Sequence, residues 1–408
     1  MDERMRDYDF LVLGSGIAGL VYALQVSRLG RVAVVTKRGL SDCNTNYAQG
    51  GIAAVLDEQD TFVNHCEDTF AAGAELGKKQ VIRQIITEGP KLIQYLIDLG
   101  TDFTLRNESY DNRLENLSLT LEGGHTHRRV AYAADSTGHQ IMEVLIERCR
   151  ENSNIDIFEN SIAIDLITQH HVVQTHGFVP GISCWGAYVM DETTNEVHIF
   201  RARKTMLATG GASQIYAHNT NPAVSTGDGM AMARLAGARL ANMEFVQFHP
   251  TAFWSPGGKT FLISEALRGE GAVLRLQDGT EFMKRYHPKG NLAPRDIVSR
   301  AIDAEIKKRG EKYCWLDATC IETEKLHNHF PYIDKRLLEQ GIDFTRDPIP
   351  VAPAAHYFCG GVLSTIDGIT DIRNLFAAGE VACTGLHGAN RRSEERSVGK
   401  ECRSRWSP

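Results

Sequence analysis

Residues 10–38 have the sequence FLVLGSGIAGLVYALQVSRLGRVAVVTKR, and this stretch decides the fold. Phe10–Leu13 form an uninterrupted apolar run, which is typical of a strand buried on both faces of a parallel sheet. The next segment repeats apolar residues at helical spacing, which predicts a helix with one apolar stripe: Ile17, Leu20, Val21 and Leu24. We expect Gly30 to end this helix and Val32–Val35 to form a second buried strand.

A glycine-rich turn joins the first strand to the helix. Its sequence, GSGIAG, matches the GxGxxG fingerprint of dinucleotide-binding proteins in the strand–turn–helix context that gives the pattern meaning. The first glycine permits the tight turn, the second lets the backbone approach a pyrophosphate, and the third lets the helix pack on the strand. The N–H groups at the start of the helix favour the diphosphate. We therefore predict dinucleotide binding, rather than an ordinary glycine-rich turn, at Gly14, Ser15, Gly16, Ile17, Ala18 and Gly19.

The end of the second strand indicates which dinucleotide is bound. An NAD site normally places an acidic residue there, roughly 20 residues after the glycine turn, to hold a ribose hydroxyl. This chain has Thr36-Lys37-Arg38 instead. Lys37 offers a cation to a phosphate or ribose, so the pattern favours FAD over NAD.

Composition limits the class of protein. At 408 residues the chain is long enough for two domains, and its net charge of −7 disfavours an extended nucleic-acid surface. No apolar run approaches the length of about 18 residues that spans a membrane, and the charged start MDERMRDYDF differs from a secretory signal. Nine cysteines without a CxxC pair are typical of reduced thiols rather than of disulfides or structural zinc. We expect a cytoplasmic enzyme without a metal.

Further along the chain, the periodicity predicts several elements. Two helical patterns, Val81–Glu88 and Lys91–Asp98, are separated by Gly89-Pro90, which we expect to break the helix. Another helix is predicted over residues 138–150. Short strand patterns joined by polar turns then predict an antiparallel excursion: Ile155–Phe158, Ser161–Ile167, Cys184–Met190 and Glu196–Arg203.

The same patterns predict the domain boundaries. Buried-strand patterns return at residues 205–209 and at Leu375–Ala378, so we expect a second domain over residues 242–353. Residues 392–408, RSEERSVGKECRSRWSP, are dense in charge and nearly devoid of aliphatic residues. This composition predicts a disordered tail that is unrelated to the fold.

Four polar clusters outside the glycine turn contain side chains suited to catalysis or ligand binding: residues 122–129, 247–251, 264–271 with 294–296, and 355–357 with 390–391. They supply several arginines and histidines, the donors that bind a small dicarboxylate. Alternatives remain open. The His-x-His pairs are more often hydrogen-bonded surface histidines than metal ligands, and Arg268–Glu270 and Arg295–Asp296 are equally consistent with structural ion pairs. The residues alone indicate a dinucleotide-binding oxidoreductase that acts on an anionic small molecule.

Ten segments of the chain together resemble the L-aspartate oxidase family: GSGIAGL, YAQGGIAA, EGGHTHRR, ATGGAS, GDGMAMA, EFVQFHPTA, EALRGEGA, APRDIVSRAID, PAAHYFCGGV and AAGEVACTGLHGANR. The resemblance extends from about Asp9 to Arg391, and the succinate dehydrogenase and fumarate reductase flavoprotein subunits are relatives of that family. It implies an α/β fold in which an α+β capping domain is inserted into a Rossmann-like, glutathione-reductase-type FAD-binding domain. The FAD-binding domain would comprise residues 1–241 and 354–391, and the capping domain residues 242–353, with the active site in the cleft.

The resemblance also implies how FAD is held. The residues in contact with FAD would be Gly14, Ser15, Gly16, Ile17, Ala18, Gly19, Lys37, Asn44, Thr45, Asn46, Tyr47, Ala48, Gln49, Gly50, Gly51, Asp228 and Glu380. Glu380 would accept a ribose hydroxyl in place of the missing second-strand acid. Relatives that bind flavin covalently have a histidine where this chain has Asn44. Because an amide cannot form that bond, noncovalent FAD is implied.

A second departure concerns the substrate. The succinate and fumarate enzymes have an apolar residue where this chain has Glu122, and a carboxylate suits a substrate ammonium group. The implied reaction is oxidation of L-aspartate to iminoaspartate, with hydride transfer to flavin N5, reoxidation by O2 or fumarate, and delivery of the product to quinolinate synthase for NAD biosynthesis. The implied catalytic residues are His249, His356 and Arg391 for the carboxylates, Ser264 for a hydroxyl contact, Glu122 for the amine, and Arg295 as electrostatic stabiliser or proton carrier.

The resemblance ends after Asn390-Arg391. The family continues there with a Ser-Asn-Ser segment and a helical C-terminal domain, whereas this chain continues with RSEE, which implies a C-terminally shortened member with an unrelated tail. Two alternatives to the leading interpretation follow. One is a soluble fumarate reductase or succinate oxidase, and the other is an inactive fragment that only binds flavin.

Overall fold

The computed structural model describes residues 4–107, 109–122, 124–173, 181–257 and 260–391. The tail predicted at residues 392–408 lies outside the described residues. The strands are β1 (Met5–Leu13), β2 (Val32–Val35), β3 (Ile52–Ala53), β4 (Leu119–Thr120), β5 (Val130–Ala131), β6 (Ile155–Phe158), β7 (Ser161–Thr168), β8 (Cys184–Asp191), β9 (Glu196–Leu207), β10 (Leu240–Ala241), β11 (Val246–Phe253), β12 (Val273–Arg275), β13 (Cys314–Asp317), β14 (Ile349–Phe358), β15 (Gly361–Leu363), β16 (Leu375–Ala377) and β17 (Ala382–Cys383). The helices are α1 (Ile17–Val26), α2 (Phe62–Ala72), α3 (Lys79–Leu99), α4 (Thr137–Glu151), α5 (His170–Val173), α6 (Asp228–Leu235), α7 (Glu265–Gly269), α8 (Arg295–Arg309), α9 (Thr323–His329) and α10 (Pro331–Leu338).

The largest sheet contains the strand–helix–strand unit predicted from the glycine turn. Its strand order is β6-β2-β1-β9-β8-β7, and β16 also pairs with β9. The strands β6, β2, β1, β9 and β16 run parallel, whereas β8 pairs antiparallel with both β9 and β7. Helix α1 connects β1 to β2, and its apolar stripe joins the hydrophobic core on one face of the sheet. The predicted α/β fold class is confirmed.

Helix α1 ends earlier than predicted. It ends at Val26, before Gly30. The Ser27 hydroxyl donates to the Leu24 carbonyl at 2.9 Å, and the Leu29 amide donates to the Val26 carbonyl at 2.8 Å. These bonds satisfy carbonyl groups of the last turn, so the chain leaves the helix before it reaches the glycine.

The predicted break at Gly89-Pro90 is wrong, because α3 is continuous with Pro90 inside it. Gly89 lies on the buried side of the helix, where an added Cβ would be 3.2 Å from the Ala54 Cβ. The buried stripe continues on both sides of this position: Ile82, Ile86, Ile93 and Leu96. Burial of that stripe outweighs the one backbone hydrogen bond that a proline removes.

The predicted antiparallel excursion is correct for three strands and wrong for the first. Strand β6 pairs parallel with β2, and it follows α4, which serves as the crossover helix that a parallel neighbour requires. The three antiparallel neighbours are β7, β8 and β9. Strand β9 also continues through residues 205–207, so two predicted strands form a single one.

A second sheet, in the region predicted as the capping domain, has the antiparallel order β11-β14-β13-β12. It contributes to a separate hydrophobic core together with residues of α7, α8, α9 and α10. The predicted boundary between residues 353 and 354 falls inside β14, and the division into domains stays a prediction. Among the described helices, none is long and apolar enough to cross a membrane.

The glycine turn depends on two close backbone approaches. Gly14 has a φ of +109°, and a Cβ on it would lie 2.3 Å from the Ala208 carbonyl oxygen at the end of β9. A Cβ on Gly19 would lie 2.0 Å from the Gly14 carbonyl oxygen. Gly16, in contrast, has an ordinary extended backbone with φ −66° and ψ 175°. The nearest neighbour of a Cβ added to Gly16 would be the Thr45 Oγ1 atom at 3.4 Å. The fold itself therefore tolerates a methyl group there.

We predict that Gly16→Ala weakens FAD binding by about tenfold or more, because the added methyl group occupies the space in which the backbone approaches a pyrophosphate. The FAD dissociation constant and the melting temperature of the apoprotein are the measurements. The apoprotein should melt as the wild type does. Gly14→Ala is the matched control and should lower the melting temperature, since it strains both φ and the contact with Ala208. Unchanged FAD affinity in Gly16→Ala would contradict the prediction.

Candidate active site

A cleft lies at the carboxyl ends of β1, β2 and β9, with an empty volume of about 920 Å³. Nucleotides bind α/β folds at this edge of the sheet. The residues predicted to contact FAD that line the cleft are Gly14, Ser15, Gly16, Ile17, Ala18, Lys37, Asn44, Thr45, Asp228 and Glu380. The start of α1 faces this space without a side chain at Gly16. The cleft therefore fits a dinucleotide whose diphosphate lies at the helix N-terminus.

Two charged residues that line the cleft, Lys37 and Asp228, belong to one hydrogen-bonded set. Lys37 Nζ contacts both Asp228 and the Thr226 hydroxyl, and that hydroxyl also donates to Asp228 Oδ1 at 2.7 Å. The Lys37 and Asp228 side chains are about a quarter to a third exposed. Both groups thus remain accessible to the phosphate or ribose of a nucleotide.

Asn44 and Glu380 lie in direct contact inside the cleft. Asn44 Nδ2 donates to Glu380 Oε2 at 3.0 Å, and Asn44 Oδ1 accepts from the Ser225 hydroxyl at 2.9 Å. The Phe358 amide donates to Glu380 Oε1 at 2.9 Å. The buried carboxylate is thereby fixed as an acceptor facing the cleft.

The remaining loop residues take different positions. A smaller cavity shares Asn44 with the cleft and is also lined by Tyr47, Ala48 and His356. Gln49 lines a neighbouring cavity and donates to the Leu262 carbonyl at 2.7 Å. Four of the residues predicted to contact FAD line none of these three cavities in the described part of the chain: Gly19, Asn46, Gly50 and Gly51. Of these, Asn46 contacts His139 and Gly51 packs against the Ala131 carbonyl.

Four buried charged side chains form a second cluster. The Glu265 carboxylate lies between two guanidinium groups: Arg268 Nη2 is 3.1 Å from Oε1, and Arg295 Nε contacts Oε2. Arg295 Nη2 is also 3.6 Å from Glu122 Oε2. All four side chains are at least nine-tenths buried. The structure thus brings Glu122 and Arg295 together, and the roles that the resemblance implies for them stay predictions.

Two strands of the capping sheet bring the imidazoles to this cluster. In β11 the His249 Nδ1 atom accepts from the Thr251 amide at 3.2 Å, at an irregularity of the pairing with β14. The ring centroids of His249 and His356 are 5.3 Å apart. Arg391 Nη2 lies 3.2 Å from His356 Nε2, and its guanidinium group stacks 4.2 Å above the Tyr357 ring. His249, His356 and Arg391 therefore lie together, and their role in carboxylate binding stays a prediction.

The surroundings set the protonation states of two groups. Burial lowers the pKa of His249 well below its ordinary value, and the positive charges of Arg295, Arg268 and Arg391 lower it further. Burial alone would raise the pKa of Glu265, but the charges of Arg295 and Arg268 outweigh it, and the pKa is lowered. At neutral pH, His249 is neutral and Glu265 is a carboxylate.

Ser264 has a structural contact that the sequence did not reveal. Its hydroxyl oxygen accepts from the Ala266 amide at 3.2 Å and caps α7. Ser264 is buried next to Glu265, so the cap fixes the start of the short helix that carries the central carboxylate.

The ion pairs suggested between sequence neighbours are wrong in their partners. Arg268 pairs with Glu265, whereas Glu270 pairs with Lys325. Arg295 pairs with Glu265 and Glu122. Asp296 instead pairs with Arg300 one turn along α8. On a helix the side chains of adjacent residues diverge, so partners come from three or four residues away or from other elements.

Arg129 and His127 of EGGHTHRR have structural partners. Arg129 is fully buried and pairs with Asp60 at 2.6 Å and with Asp68 at 2.7 Å. His127 Nδ1 lies 3.6 Å from Asp60. Asp68 also accepts from the Thr126 amide and hydroxyl at 3.0 and 2.8 Å. These contacts fasten the segment that follows Glu122 to α2. Within the described ranges, no cluster of three or more potential metal ligands occurs.

Sequence reasoning missed Glu265 and Arg268 as members of the site. Both belong to EALRGEGA, which the sequence singled out, but nothing in the local pattern shows that they are buried. Thr220 was also missed. Its hydroxyl lies 2.8 Å from His356 Nδ1, and the polar run Asn219-Thr220-Asn221 is a typical loop composition with no signal of its own.

The depressed pKa of His249 predicts a pH dependence of stability. Between about pH 6.5 and pH 5 the unfolded chain binds a proton at this histidine that the folded chain does not bind, so the contribution to stability is present above about pH 6.5 and is lost as the pH falls. His249→Gln should reduce the slope of unfolding free energy against pH by about 1.4 kcal/mol per pH unit in that window, as measured by urea denaturation. His139→Gln, at an exposed histidine, is the control.

Glu265 does not obscure this result, because its depressed pKa produces a loss of stability only as the pH falls below the ordinary glutamate value of about 4.3. Equal slopes for the wild type and His249→Gln between pH 6.5 and pH 5 would contradict the neutral, buried imidazole.

Comparison with known proteins places this geometry in a family. Residues 9–393 match a family model described as an FAD binding domain. An L-aspartate oxidase from Acinetobacter baylyi is 48% identical over 94% of this chain and 69% of its own length, and one from Pseudomonas aeruginosa is 48% identical over 94% of this chain and 71% of its own. A variant of FrdA from E. coli quinol fumarate reductase is 30% identical with a TM-score of 0.87, over 97% of this chain and 68% of that one.

The cofactor is accordingly FAD, and the chain is an FAD-dependent oxidoreductase by homology. The glycine turn, the cleft and the buried arginine–histidine cluster occur in a chain whose sequence matches curated L-aspartate oxidases across nearly its whole length. The chain belongs to the L-aspartate oxidase family.

Proposed function

We propose that this chain oxidises L-aspartate to iminoaspartate at the cluster formed by Glu122, Arg295, His249, His356 and Arg391, with FAD bound noncovalently in the adjoining cleft. The observation that carries the proposal is the buried Glu122 carboxylate beside Arg295, next to a set of carboxylate-binding groups. Arg295 already supplies one cation to this buried carboxylate. The ammonium group of an amino acid would add a charged hydrogen-bond donor, which succinate and fumarate lack.

The net charge of the cluster supports an amino-acid substrate. Arg268, Arg295 and Arg391 contribute three positive charges, while Glu122 and Glu265 contribute two negative charges, and His249 is neutral. These groups sum to +1. L-aspartate carries a net charge of −1 at neutral pH and balances them, whereas succinate at −2 would leave an excess negative charge in a buried site.

Each side chain has a distinct task in this proposal. Arg391 and the two imidazoles bind the carboxylates, since a guanidinium group matches a carboxylate in shape and charge. Glu122 orients the amine. Arg295 lies beside both Glu122 and Glu265, where its charge stabilises the reacting centre; proton transfer through it requires the strong depression of an otherwise very high pKa. Bound FAD supplies the two-electron acceptor.

The contacts of Asn44 support noncovalent binding of FAD. Its amide is engaged with Glu380 and Ser225 inside the cleft, and an amide is not a nucleophile toward flavin. We further propose reoxidation by O2 or fumarate, a cytoplasmic location, and delivery of the unstable product to quinolinate synthase for NAD biosynthesis. Ser264, besides capping α7, would contribute a hydroxyl contact to the substrate.

A second candidate function is fumarate reduction. It is favoured by the 30% identity and the TM-score of 0.87 to quinol fumarate reductase FrdA. The carboxylate-binding groups would serve both reactions, because aspartate and fumarate share a four-carbon dicarboxylate skeleton. Glu122 is the group that only the amine requires.

Anaerobic addition of L-aspartate to the purified FAD-loaded chain should bleach the flavin absorbance near about 450 nm. Bleaching requires that the carboxylate-binding groups and Glu122 place the substrate against the cofactor. The control is D-aspartate, which presents its α-hydrogen on the opposite side. A bound flavin that L-aspartate leaves oxidised would overturn the proposed function.

Glu122→Gln should lower kcat/KM for L-aspartate by about tenfold to a hundredfold, the loss typical of a hydrogen bond to a charged group. Fumarate reduction should change much less, since fumarate has no amine. Steady-state kinetics with both substrates provide the ratio. Glu270→Gln is the matched control, because Glu270 pairs with Lys325 outside the cluster. Equal losses on both substrates would refute the amine-binding role of Glu122.

A further inference from the structure

His356 has a partner at each of its ring nitrogens. Arg391 Nη2 lies 3.2 Å from Nε2, and the Thr220 hydroxyl lies 2.8 Å from Nδ1. The residue is almost completely buried, with 4% of its surface exposed. Both partners therefore act on the imidazole with little competition from water.

These two partners determine where the imidazole carries its proton. A guanidinium group only donates hydrogen bonds, so the Nε2 atom facing Arg391 must accept. A second positive charge on the ring would lie 3.2 Å from the guanidinium group, which disfavours the imidazolium form. The ring is therefore neutral with its proton on Nδ1, and that N–H donates to the Thr220 oxygen.

The loop that carries Thr220 is held against β14 by its backbone. The Thr220 amide donates to the Ala355 carbonyl at 3.0 Å, and the Ala355 amide donates to the His218 carbonyl at 2.9 Å. Asn221 Nδ2 donates to the His356 carbonyl at 3.1 Å. Because these bonds do not involve the Thr220 side chain, removing its hydroxyl leaves the loop in place.

When a substrate carboxylate binds at His356, the Nε2 atom must donate a hydrogen bond instead of accepting one. A carboxylate only accepts hydrogen bonds, so an imidazole that faces it must present an Nε2–H group. One proton then leaves Nδ1 and one is taken up at Nε2, with no net change in protonation. A hydroxyl both donates and accepts, so the Thr220 O–H can turn toward the bare Nδ1 atom.

We propose that Thr220 is a positioning residue that holds His356 as the Nδ1–H tautomer in the empty site and supports the Nε2–H tautomer when a dicarboxylate binds. The inference rests on the proposed function, because it takes His356 as a carboxylate-binding group. Thr220→Val keeps the shape of the side chain but has no hydroxyl, and Thr220→Ser keeps the hydroxyl.

Nitrogen NMR of the FAD-loaded protein with ¹⁵N-labelled histidine tests the tautomers, with the His356 signals assigned by their loss in His356→Gln. The wild type and Thr220→Ser should show Nδ1–H without ligand and Nε2–H with saturating fumarate. Thr220→Val should show an increased fraction of Nε2–H without ligand, because Nδ1–H has lost its acceptor. An Nε2–H tautomer in the empty wild type, or identical tautomers in all three proteins, would overturn the inference.

Fumarate titration, followed by the flavin spectrum, measures the consequence for binding. The dissociation constant should stay within about threefold of the wild-type value in both Thr220→Val and Thr220→Ser, because the hydroxyl forms one hydrogen bond with Nδ1 in the empty and in the occupied site alike. A tenfold rise in Thr220→Val alone would mean that the hydroxyl bonds Nδ1 only in the occupied site, which would overturn the inference. If the tautomers and affinities follow this pattern but L-aspartate never bleaches the flavin, the proposed function fails alone. If L-aspartate bleaches the flavin and Thr220→Val shows the wild-type tautomers, only the inference on Thr220 fails.

Discussion

Burying a guanidinium group requires an anion beside it, and this chain buries three of them close together: Arg268, Arg295 and Arg391. The Glu265 carboxylate is the anion that makes the arrangement possible, because it lies between Arg268 and Arg295. Without it, two positive charges would face each other in a site that excludes water, at a cost of several kcal/mol. The hydroxyl of Ser264 caps the short helix that presents Glu265. If the substrate binds at this cluster as proposed, its binding depends on a carboxylate that need not touch it.

Three consecutive residues of β14 join this charged cluster to the cofactor cleft. His356 belongs to the cluster, the side chain of Tyr357 supports Arg391 while the residue lines the cleft, and the Phe358 amide donates to Glu380 in the cleft. Because the three belong to one strand of the capping sheet, their relative positions are fixed by the backbone. A shift of that strand would move the substrate groups and the cofactor groups together.

The sequence predicted those parts of the fold that depend on local pattern. The β1–α1–β2 unit follows from apolar periodicity and three glycines, and the cleft above it follows from the fingerprint. The errors come from tertiary contacts. Packing of Gly89 against Ala54 keeps α3 intact through Pro90, and the crossover helix α4 makes β6 parallel to its neighbour. Local periodicity shows neither which residues pack together in the folded chain nor in which direction a strand pairs with its neighbour.

In the candidate site, too, the sequence identified residue types, whereas the contacts between residues far apart in the chain became visible only in the structure. Residue types and resemblance indicated Glu122, His249, His356 and Arg391, but not which charges pair. The partners of Arg295 come from positions 122 and 265, far apart in sequence, and only the folded chain brings them together. Thr220 shows the dependence on the folded structure most clearly. Only folding brings its hydroxyl to 2.8 Å from the Nδ1 atom of His356.

In the proposed reaction, selection of an amine over its deaminated analogue depends on the position of Glu122. In the free protein its carboxylate lies 3.6 Å from Arg295, longer than a direct hydrogen bond. In the proposed reaction, an incoming ammonium group would add a second cation beside Arg295 at this buried carboxylate. Succinate would place methylene hydrogens there and offer the buried carboxylate no additional hydrogen-bond donor. Discrimination therefore arises as much from the penalty imposed on the wrong ligand as from attraction of the right one.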